Sequence, residues 1–315
     1  MFSLSTTKRF VPIVSGLFYA ALIVFLFFYI RSIDFASLAH TQFSWQLVLV
    51  ASIFGLSMRV WQIVVWFIIL QGLGAEGLGK HWVQLSYVYA KSWLARYIPG
   101  TAPWILGKIY FASKHGVSKS KLTVSSLLEA SLQVVVILAL SLLILATDDR
   151  FDVIDVKIRI AMAVLLAGCV AVIVPFIFNR VLGTAFRVLR KRVLADEHHV
   201  TTPVIIKGVV TYAIGGILYG TFLFFMAKAV YPQLSFDNLI FVIGAGNLAG
   251  ALGILSIFAP SGLGVRDGIQ LLLFSVIMPP EFALAITVLT RLWDIVLDLF
   301  FYVLAWLVRL VKPNS

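Results

Sequence analysis

The chain contains 315 residues, of which 61% are hydrophobic and only 12% are charged, and its mean hydropathy is +1.01. This composition excludes a soluble globular domain and is typical of an integral membrane protein. The 25 Lys and Arg residues exceed the 14 Asp and Glu residues, which gives a net charge of +11. In membrane proteins such an excess lies in cytoplasmic loops that face anionic lipid, so we expect no nucleic-acid partner.

Six apolar runs are long enough to cross a bilayer, since about 20 helical residues span the ~30 Å hydrocarbon layer. The first run is longer than the apolar core of about 7 to 15 residues in a signal peptide, so we expect a retained anchor. The predicted crossings are residues 10–30, 45–70, 122–146, 158–178, 204–230 and 281–311.

Two further apolar segments, residues 82–113 and 239–278, are interrupted by helix breakers. Broken helices are tolerated at membrane depth only where they are buried in protein or line a cavity. We therefore predict two re-entrant hairpins, each of which enters and leaves the membrane on the same side. The predicted break residues are Pro99, Gly100, Pro260, Gly262 and Gly264.

Loop charges predict the orientation in the membrane. With six crossings, the basic loop of residues 180–207 and both basic termini fall on one side, and the acidic loop of residues 148–155 falls on the other. By the positive-inside rule both termini are cytoplasmic, the first hairpin opens inward and the second opens outward. We expect the protein to lie in a bacterial cytoplasmic (inner) membrane.

The two halves of the chain are related by a nearly constant offset. Pro260 follows Pro99 by 161 positions (260 − 99), and Arg291 follows Glu129 by 162 (291 − 129). Three crossings and one hairpin per half is the inverted-repeat architecture of many secondary transporters. We predict an all-α, polytopic, single transmembrane domain over residues 1–315, with repeat one at about 10–146 and repeat two at about 158–311.

Charged side chains inside the crossings are functional candidates, because an ionised group at mid-bilayer costs about 2.5 kcal/mol or more unless it is paired or hydrated. Arg59 either pairs with an acid on another helix or holds a lipid phosphate. Glu129 and Gln133 form a polar stripe that serves either helix contacts or a ligand.

One face of the last crossing carries three charges, Arg291, Asp294 and Asp298, at spacings i, i+3 and i+7. These residues either neutralise one another or form a cation- or proton-coupled relay.

Charged residues also flank both predicted breaks. Arg96 and Lys108 lie on either side of the first break, and Arg266 and Asp267 follow the second. An interrupted helix exposes backbone N–H donors, which together with these cations favour an anion. Alternatively, the cations only anchor the hairpins at the membrane interface.

Two other segments have simpler interpretations. The small residues of 244–250 around Asn247 predict tight helix contact. Residues 180–200 alternate basic and apolar side chains, which predicts an amphipathic helix on the anionic inner leaflet. The adjacent His198 and His199 have no third ligand at a useful spacing, so we expect no metal site.

Several motifs along the chain occur together in one known family. They are Arg96-Tyr97-Ile98-Pro99-Gly100, Leu106-Gly107-Lys108, His115-Gly116-Val117-Ser118, Leu127-Leu128-Glu129, Pro260-Ser261-Gly262-Leu263-Gly264-Val265-Arg266-Asp267 and Leu289-Thr290-Arg291-Leu292. With them, the chain resembles the lysylphosphatidylglycerol synthase transmembrane-domain family, also described as flippase-like membrane proteins. The resemblance implies movement of aminoacylated phospholipid between leaflets. We expect no soluble aminoacyl-transferase domain after residue 311.

The leading functional prediction is a non-enzymatic lipid flippase or carrier without a cofactor. A basic cleft between the hairpins would admit a phosphate-bearing headgroup, aminoacylated or polyprenyl-linked, while the lipid tails stay in the bilayer. The expected partners are membrane lipids with anionic headgroups, and either a second copy of the chain or a lipid-modifying enzyme. The predicted substrate-binding residues are Arg59, Arg96, Lys108, Glu129, Arg266, Asp267 and Arg291, and the predicted coupling residues are Asp294 and Asp298.

Two alternatives belong to other classes. Asp148-Asp149-Arg150-Phe151-Asp152 and the Asp294/Asp298 pair have spacings that intramembrane prenyl-diphosphate transferases use to hold Mg²⁺, an ion that prefers carboxylate ligands. The chain would then be an enzyme. The other alternative is an accessory membrane subunit of a glycolipid pathway.

Overall fold

A computed structural model of the chain describes residues 43–97, 102–151, 155–190, 200–256 and 262–312. Within these ranges every regular element is helical, which confirms the predicted all-α class. The predicted crossing at 10–30 and the break residues Pro99, Gly100 and Pro260 lie outside the described residues. The α-helices are α1 (Trp45–Gly72), α2 (Trp82–Leu94), α3 (Ala102–Ser113), α4 (Lys119–Ala146), α5 (Val156–Ile173), α6 (Pro175–Arg190), α7 (Thr202–Val230), α8 (Leu239–Leu255), α9 (Val265–Phe274) and α10 (Pro280–Val311).

Five segments within the described ranges are long and apolar enough to cross a membrane. They are α1, α4, α5, α7 and Phe236–Leu255, which comprises a 3₁₀ turn followed by α8. The chain is therefore an integral membrane protein. Helix α10 is also long, with 32 residues, but it carries charged side chains.

The predicted crossing at 158–178 ends earlier than expected. Helix α5 stops at Ile173, and Val174 is extended, with φ −59° and ψ 126°. A residue before proline is disfavoured in the helical region, so Pro175 ends one helix and begins the next. Helix α6 therefore starts at Pro175 rather than at residue 180, and its Phe178 is buried against α4 and α7.

Helices α2 and α3 form a hairpin whose two outer ends meet. The rings of His81, before α2, and His115, after α3, lie 5.9 Å apart. The C-terminus of α10 lies at the same place, because Lys312 Nζ is 5.9 Å from the centroid of the Trp82 ring. We call this end of the bundle the basic end; it includes Lys80, His81, Lys114, His115, Lys119, Lys121, Arg309 and Lys312.

His115 contributes little charge to the basic end. Partial burial lowers the pKa of its imidazole below the usual value, and the nearby His81 and Arg309 lower it further. At pH 7 the positive charge of this end therefore comes from its lysines and arginines.

Helices α8 and α9 form a second hairpin that opens at the other end of α1. Arg150 Nη2 donates to Asn238 Oδ1 at 2.7 Å before α8 begins. The rings of Tyr231, after α7, and Phe282, at the start of α10, lie 4.9 Å apart. Helix α1 begins here as well, since the N–H of Ser44 donates to the carbonyl of Ala229. This acidic end includes Asp148, Asp149 and Asp237.

The contacts between long helices and hairpins repeat in the two halves. Helix α1 packs along α7, α2 packs on α10, and α8 packs on α4. The first helix of each hairpin thus packs on the last long helix of the other half. Small residues allow the closest approach: a Cβ added at Gly220 would lie only 2.5 Å from the Cα of Ile243 in α8.

Gly220→Ala should destabilise the protein by about 1–3 kcal/mol, because the added methyl group meets backbone that cannot move aside. Gly168→Ala in α5 is the matched control, since nothing lies within 4 Å of its added Cβ. Thermal unfolding in detergent, followed by circular dichroism, measures both. Equal midpoints for the two variants would contradict a tight contact between α7 and α8.

Candidate functional site

A cavity of about 370 Å³ lies where the inner ends of the two hairpins meet. The first hairpin contributes Trp93 and Trp104, and the second contributes Ser256, Gly262 and Arg266. Side chains of α1, α4, α7 and α10 complete the wall. This volume is within the range of small-ligand sites.

Two buried aspartates on α10 organise the charges around the cavity. Arg59 Nη2 contacts Asp294 Oδ1 at 2.9 Å, and Arg59 Nε contacts Asp298 Oδ1 at 2.6 Å. Arg266 Nη2 lies 2.8 Å from Asp294 Oδ2, and Arg96 Nη2 lies 2.6 Å from Asp298 Oδ2. We call these five residues the arginine–aspartate network. Its three cations and two carboxylates leave a surplus of one positive charge.

Arg59 uses most of its hydrogen-bond donors within the protein. Its side chain is 1% exposed, Nη1 donates to the carbonyl of Gly55, and Nη2 also donates to the carbonyl of Asp294. Of the two interpretations of Arg59, the structure favours the pair with an acid on another helix. These contacts use four of the five N–H groups of this guanidinium and leave one N–H of Nη1 without a described partner.

Arg96 and Arg266 have more donor capacity left than Arg59. Their hydrogen bonds use Nη2, which reaches Tyr97 and Asp298 from Arg96, and Tyr219 and Asp294 from Arg266. The Nε atoms of both arginines are buried and have no hydrogen-bond partner among the described residues. Both side chains line the cavity. An anion there can therefore receive N–H groups that the protein leaves unfilled.

The second break holds Arg266 in place through backbone geometry. Gly262 and Gly264 have φ of +67° and +86°, a region that favours glycine. The N–H of Gly264 donates to Asp267 Oδ2 at 3.0 Å, which caps α9. A Cβ added at Gly262 would lie 2.7 Å from the Cα of Gly253 in α8, so the break packs directly on that helix.

Three aromatic residues of the site were absent from the sequence-based prediction. Tyr97 donates to Asp298 Oδ2 at 2.5 Å, Trp93 Nε1 donates to Asp298 Oδ1 at 3.1 Å, and Tyr219 contacts Arg266. Trp93 is one turn before Arg96, so helical spacing was a usable signal for it. Tyr219 is 47 positions from Arg266, and no local pattern connects them.

Lys108 and Glu129 form a separate buried pair. Lys108 Nζ donates to Glu129 Oε1 at 2.5 Å, and both side chains are at most 3% exposed. The ammonium also lies 4.6, 5.2 and 5.3 Å from the ring centroids of Trp104, Tyr89 and Trp66. Neither charged residue is among those that line the cavity. The structure thus separates Lys108 and Glu129 from Arg96 and Arg266.

Arg291 forms an ion pair with a residue of another helix. It contacts Asp267 of α9 at 3.6 Å, while Asp294 and Asp298 pair with arginines of other segments. In these ion pairs the charges on this face of α10 are therefore not neutralised by one another but by residues of other segments. Arg291–Asp267 joins the second helix of a hairpin to the following long helix, as Lys108–Glu129 does in the first half.

Three of the four described carboxylates of the diphosphate–Mg²⁺ alternative already contact arginines. Asp294 and Asp298 each contact two arginines. Asp148 pairs with Arg150 at 2.8 Å in the loop after α4, at the acidic end. Asp152 lies outside the described residues. The two motifs thus lie apart, and the arginines compete with a metal ion for the oxygens of α10.

A comparison with family models connects this arrangement with known proteins. The model of the lysylphosphatidylglycerol synthase TM region matches residues 13–301. The chain belongs to this family. The family name associates the chain with membrane lipids. No curated protein matches it.

The Lys108–Glu129 pair gives a double-variant test. Glu129→Gln should destabilise the protein by about 3–5 kcal/mol, because it leaves a buried ammonium without its carboxylate. Lys108→Met combined with Glu129→Gln should recover most of this loss, since no buried charge remains. Thermal unfolding of both single variants and the double variant measures the coupling. Strictly additive effects would contradict it.

Proposed function

We propose that this protein is a non-enzymatic carrier that moves the phosphate-bearing headgroup of a lipid between leaflets. One observation carries the proposal: the inner ends of both hairpins meet at a cavity with one surplus positive charge and unfilled arginine donors. Moving the headgroup is the costly step, because an anion crosses hydrocarbon only with a partner. The lipid tails can stay in the bilayer throughout.

The hairpin geometry supports a re-entrant, inverted arrangement. Helices α2 and α3 have 13 and 12 residues, so each spans about 20 Å and falls short of the ~30 Å hydrocarbon layer. Their outer ends meet at the basic end, while the second hairpin opens at the acidic end. Helix α8 with its 3₁₀ turn is long enough to cross alone, but α9 has only 10 residues. We therefore propose that each hairpin enters from its own side.

This arrangement suggests how access alternates. The basic end is cytoplasmic by the positive-inside rule, and both termini lie there if residues 10–30 form the sixth crossing. Movement of one hairpin against α1 and α7 would open the cavity towards one leaflet while the other hairpin keeps it closed. In this proposal the membrane is the bacterial cytoplasmic membrane.

The carrier accounts for the site better than the two alternatives. A prenyl-diphosphate transferase needs carboxylates that are open to Mg²⁺, and those of α10 are held by arginines. An accessory subunit would not need a cavity with unfilled donors.

Arg266→Gln should slow lipid transfer at least about tenfold, because charge-assisted hydrogen bonds contribute about 1.5–3 kcal/mol. Purified protein is placed in phosphatidylcholine vesicles with tail-labelled phosphatidylglycerol, and an impermeant quencher reports outer-leaflet label. The variant should still fold, because Asp294 remains paired with Arg59. The network then contains two arginines and two aspartates and is neutral. Arg309→Gln, at the end of α10, is the control. Transfer by Arg266→Gln at the wild-type rate would remove the proposed site.

Gly250→Leu should block transfer by filling the cavity. Gly250 lines the cavity, and nothing lies within 4 Å of an added Cβ, so the larger side chain enters open space without displacing neighbours. Gly168→Leu, on the exposed surface of α5, makes the same chemical change away from the cavity. The vesicle assay should show loss of transfer only for Gly250→Leu. Equal rates for the two variants would mean that the headgroup takes another path.

A further inference from the structure

We infer that the wall of the cavity beside the arginines recognises uncharged hydroxyl groups, so that the headgroup beyond the phosphate is a glycerol or another polyol and not an amine. This inference rests on the proposed function, because it concerns the same cavity. It narrows the substrate to a lipid with one net negative charge.

Neutral polar side chains form this part of the wall. They come from α1, α4, α7 and α8, and each lines the cavity: Gln62, Gln133, Tyr212 and Asn247. A carboxamide offers two donors and an acceptor, and a phenol offers one of each, so together they suit hydroxyl groups, which both donate and accept. We call these four residues the neutral wall.

Gln62 shows that the neutral wall is not already satisfied by the protein. Gln62 is only 6% exposed, yet its sole described hydrogen bond is a 4.0 Å contact from Nε2 to Met58 Sδ. A thioether is a weak acceptor. A hydroxyl group bound beside Gln62 would give this amide a stronger hydrogen-bond partner.

The other amides also present atoms to a ligand. Asn247 donates through Nδ2 to the carbonyls of Gly216 and Ile243, both at 2.8 Å, and these bonds leave its Oδ1 unused. Gln133 has no hydrogen bond within the described ranges. Asn247 and Gln133 line the same cavity as Gln62.

The neutral wall borders the arginine–aspartate network, since Gln62 lines the same cavity as Arg96 and Arg266. Gln62 follows Arg59 by three positions on α1, a rise of about 4.5 Å along the axis. Arg59 contacts both aspartates that hold Arg96 and Arg266. We therefore expect a phosphate at Arg96 and Arg266 to bring its alcohol close to Gln62.

An ammonium group finds no counter-charge here. Asp294 is the sole acidic residue among the described residues that line the cavity, and its two oxygens are taken by Arg59 and Arg266. Three of the aromatic residues that line the cavity, Trp93, Tyr219 and Trp104, already hold the cations of Arg96, Arg266 and Lys108. The surplus positive charge of the network also repels a second cation. A headgroup of one phosphate and neutral hydroxyls leaves the occupied cavity electrically balanced.

The test compares three tail-labelled lipids in the phosphatidylcholine vesicle assay. Phosphatidylglycerol carries the phosphate and hydroxyls, phosphatidylethanol carries the same charge without hydroxyls, and lysylphosphatidylglycerol adds ammonium groups. Wild-type protein should move phosphatidylglycerol at least about tenfold faster than either of the others, which corresponds to about 1.4 kcal/mol.

Gln62→Met removes the hydroxyl partner but keeps the length of the side chain. It should lower the rate for phosphatidylglycerol much more than the rate for phosphatidylethanol, so that the ratio of the two rates approaches one. Gln71→Met, at an exposed position near the end of α1, is the matched control. Transfer of lysylphosphatidylglycerol as fast as phosphatidylglycerol, or an equal loss for all lipids in Gln62→Met, would overturn the inference.

Binding in detergent separates this inference from the proposed function. Displacement of labelled phosphatidylglycerol by each unlabelled lipid reports selectivity without transport. Selective binding with no transfer above protein-free vesicles would overturn the carrier and support the polyol site. Unselective binding would overturn the polyol site, whatever the transfer rates.

Discussion

The structure depends on two carboxylates of one helix that three arginines share. In hydrocarbon there is no water to solvate an unpaired charge, so Asp294 and Asp298 require cations from other segments. Arg59 comes from α1, Arg96 follows α2, and Arg266 lies in the first turn of α9. One turn of α10 thereby holds a long helix and the inner ends of both hairpins at a single point. The position of the cavity follows from this constraint.

The two main ionic clusters differ in a way that relates to function. The charges of Lys108 and Glu129 balance each other, and the ammonium packs against aromatic rings. This pair therefore needs no further partner. The arginine–aspartate network is unbalanced by one positive charge and borders open space. Burying an unbalanced charge is costly. In the proposed carrier, an anionic headgroup supplies the missing partner.

The sequence predicted the parts of this protein that depend on local pattern. Hydropathy located α1, α4, α7 and α10 to within a few residues, and the breakers at Gly262 and Gly264 correspond to backbone with positive φ. The sequence could not predict which charges pair, because Arg59 contacts residues 235 and 239 positions away. Helical spacing suggested that Arg291 neutralises Asp294, but long-range packing gives both of them partners on other segments. The neutral wall likewise exists only after four helices have assembled.

The contact between Gly253 and Gly262 has a mechanical consequence. With no side chain on either residue, the segment before α9 rests on the backbone of α8, and the Cβ of Arg266 would lie 2.9 Å from a methyl group placed on Gly253. Arg266 therefore moves together with α8 as one rigid unit, whereas its partner Asp294 belongs to α10. A tilt of α8 therefore stretches that ion pair, and in the proposed carrier this movement accompanies release of the headgroup.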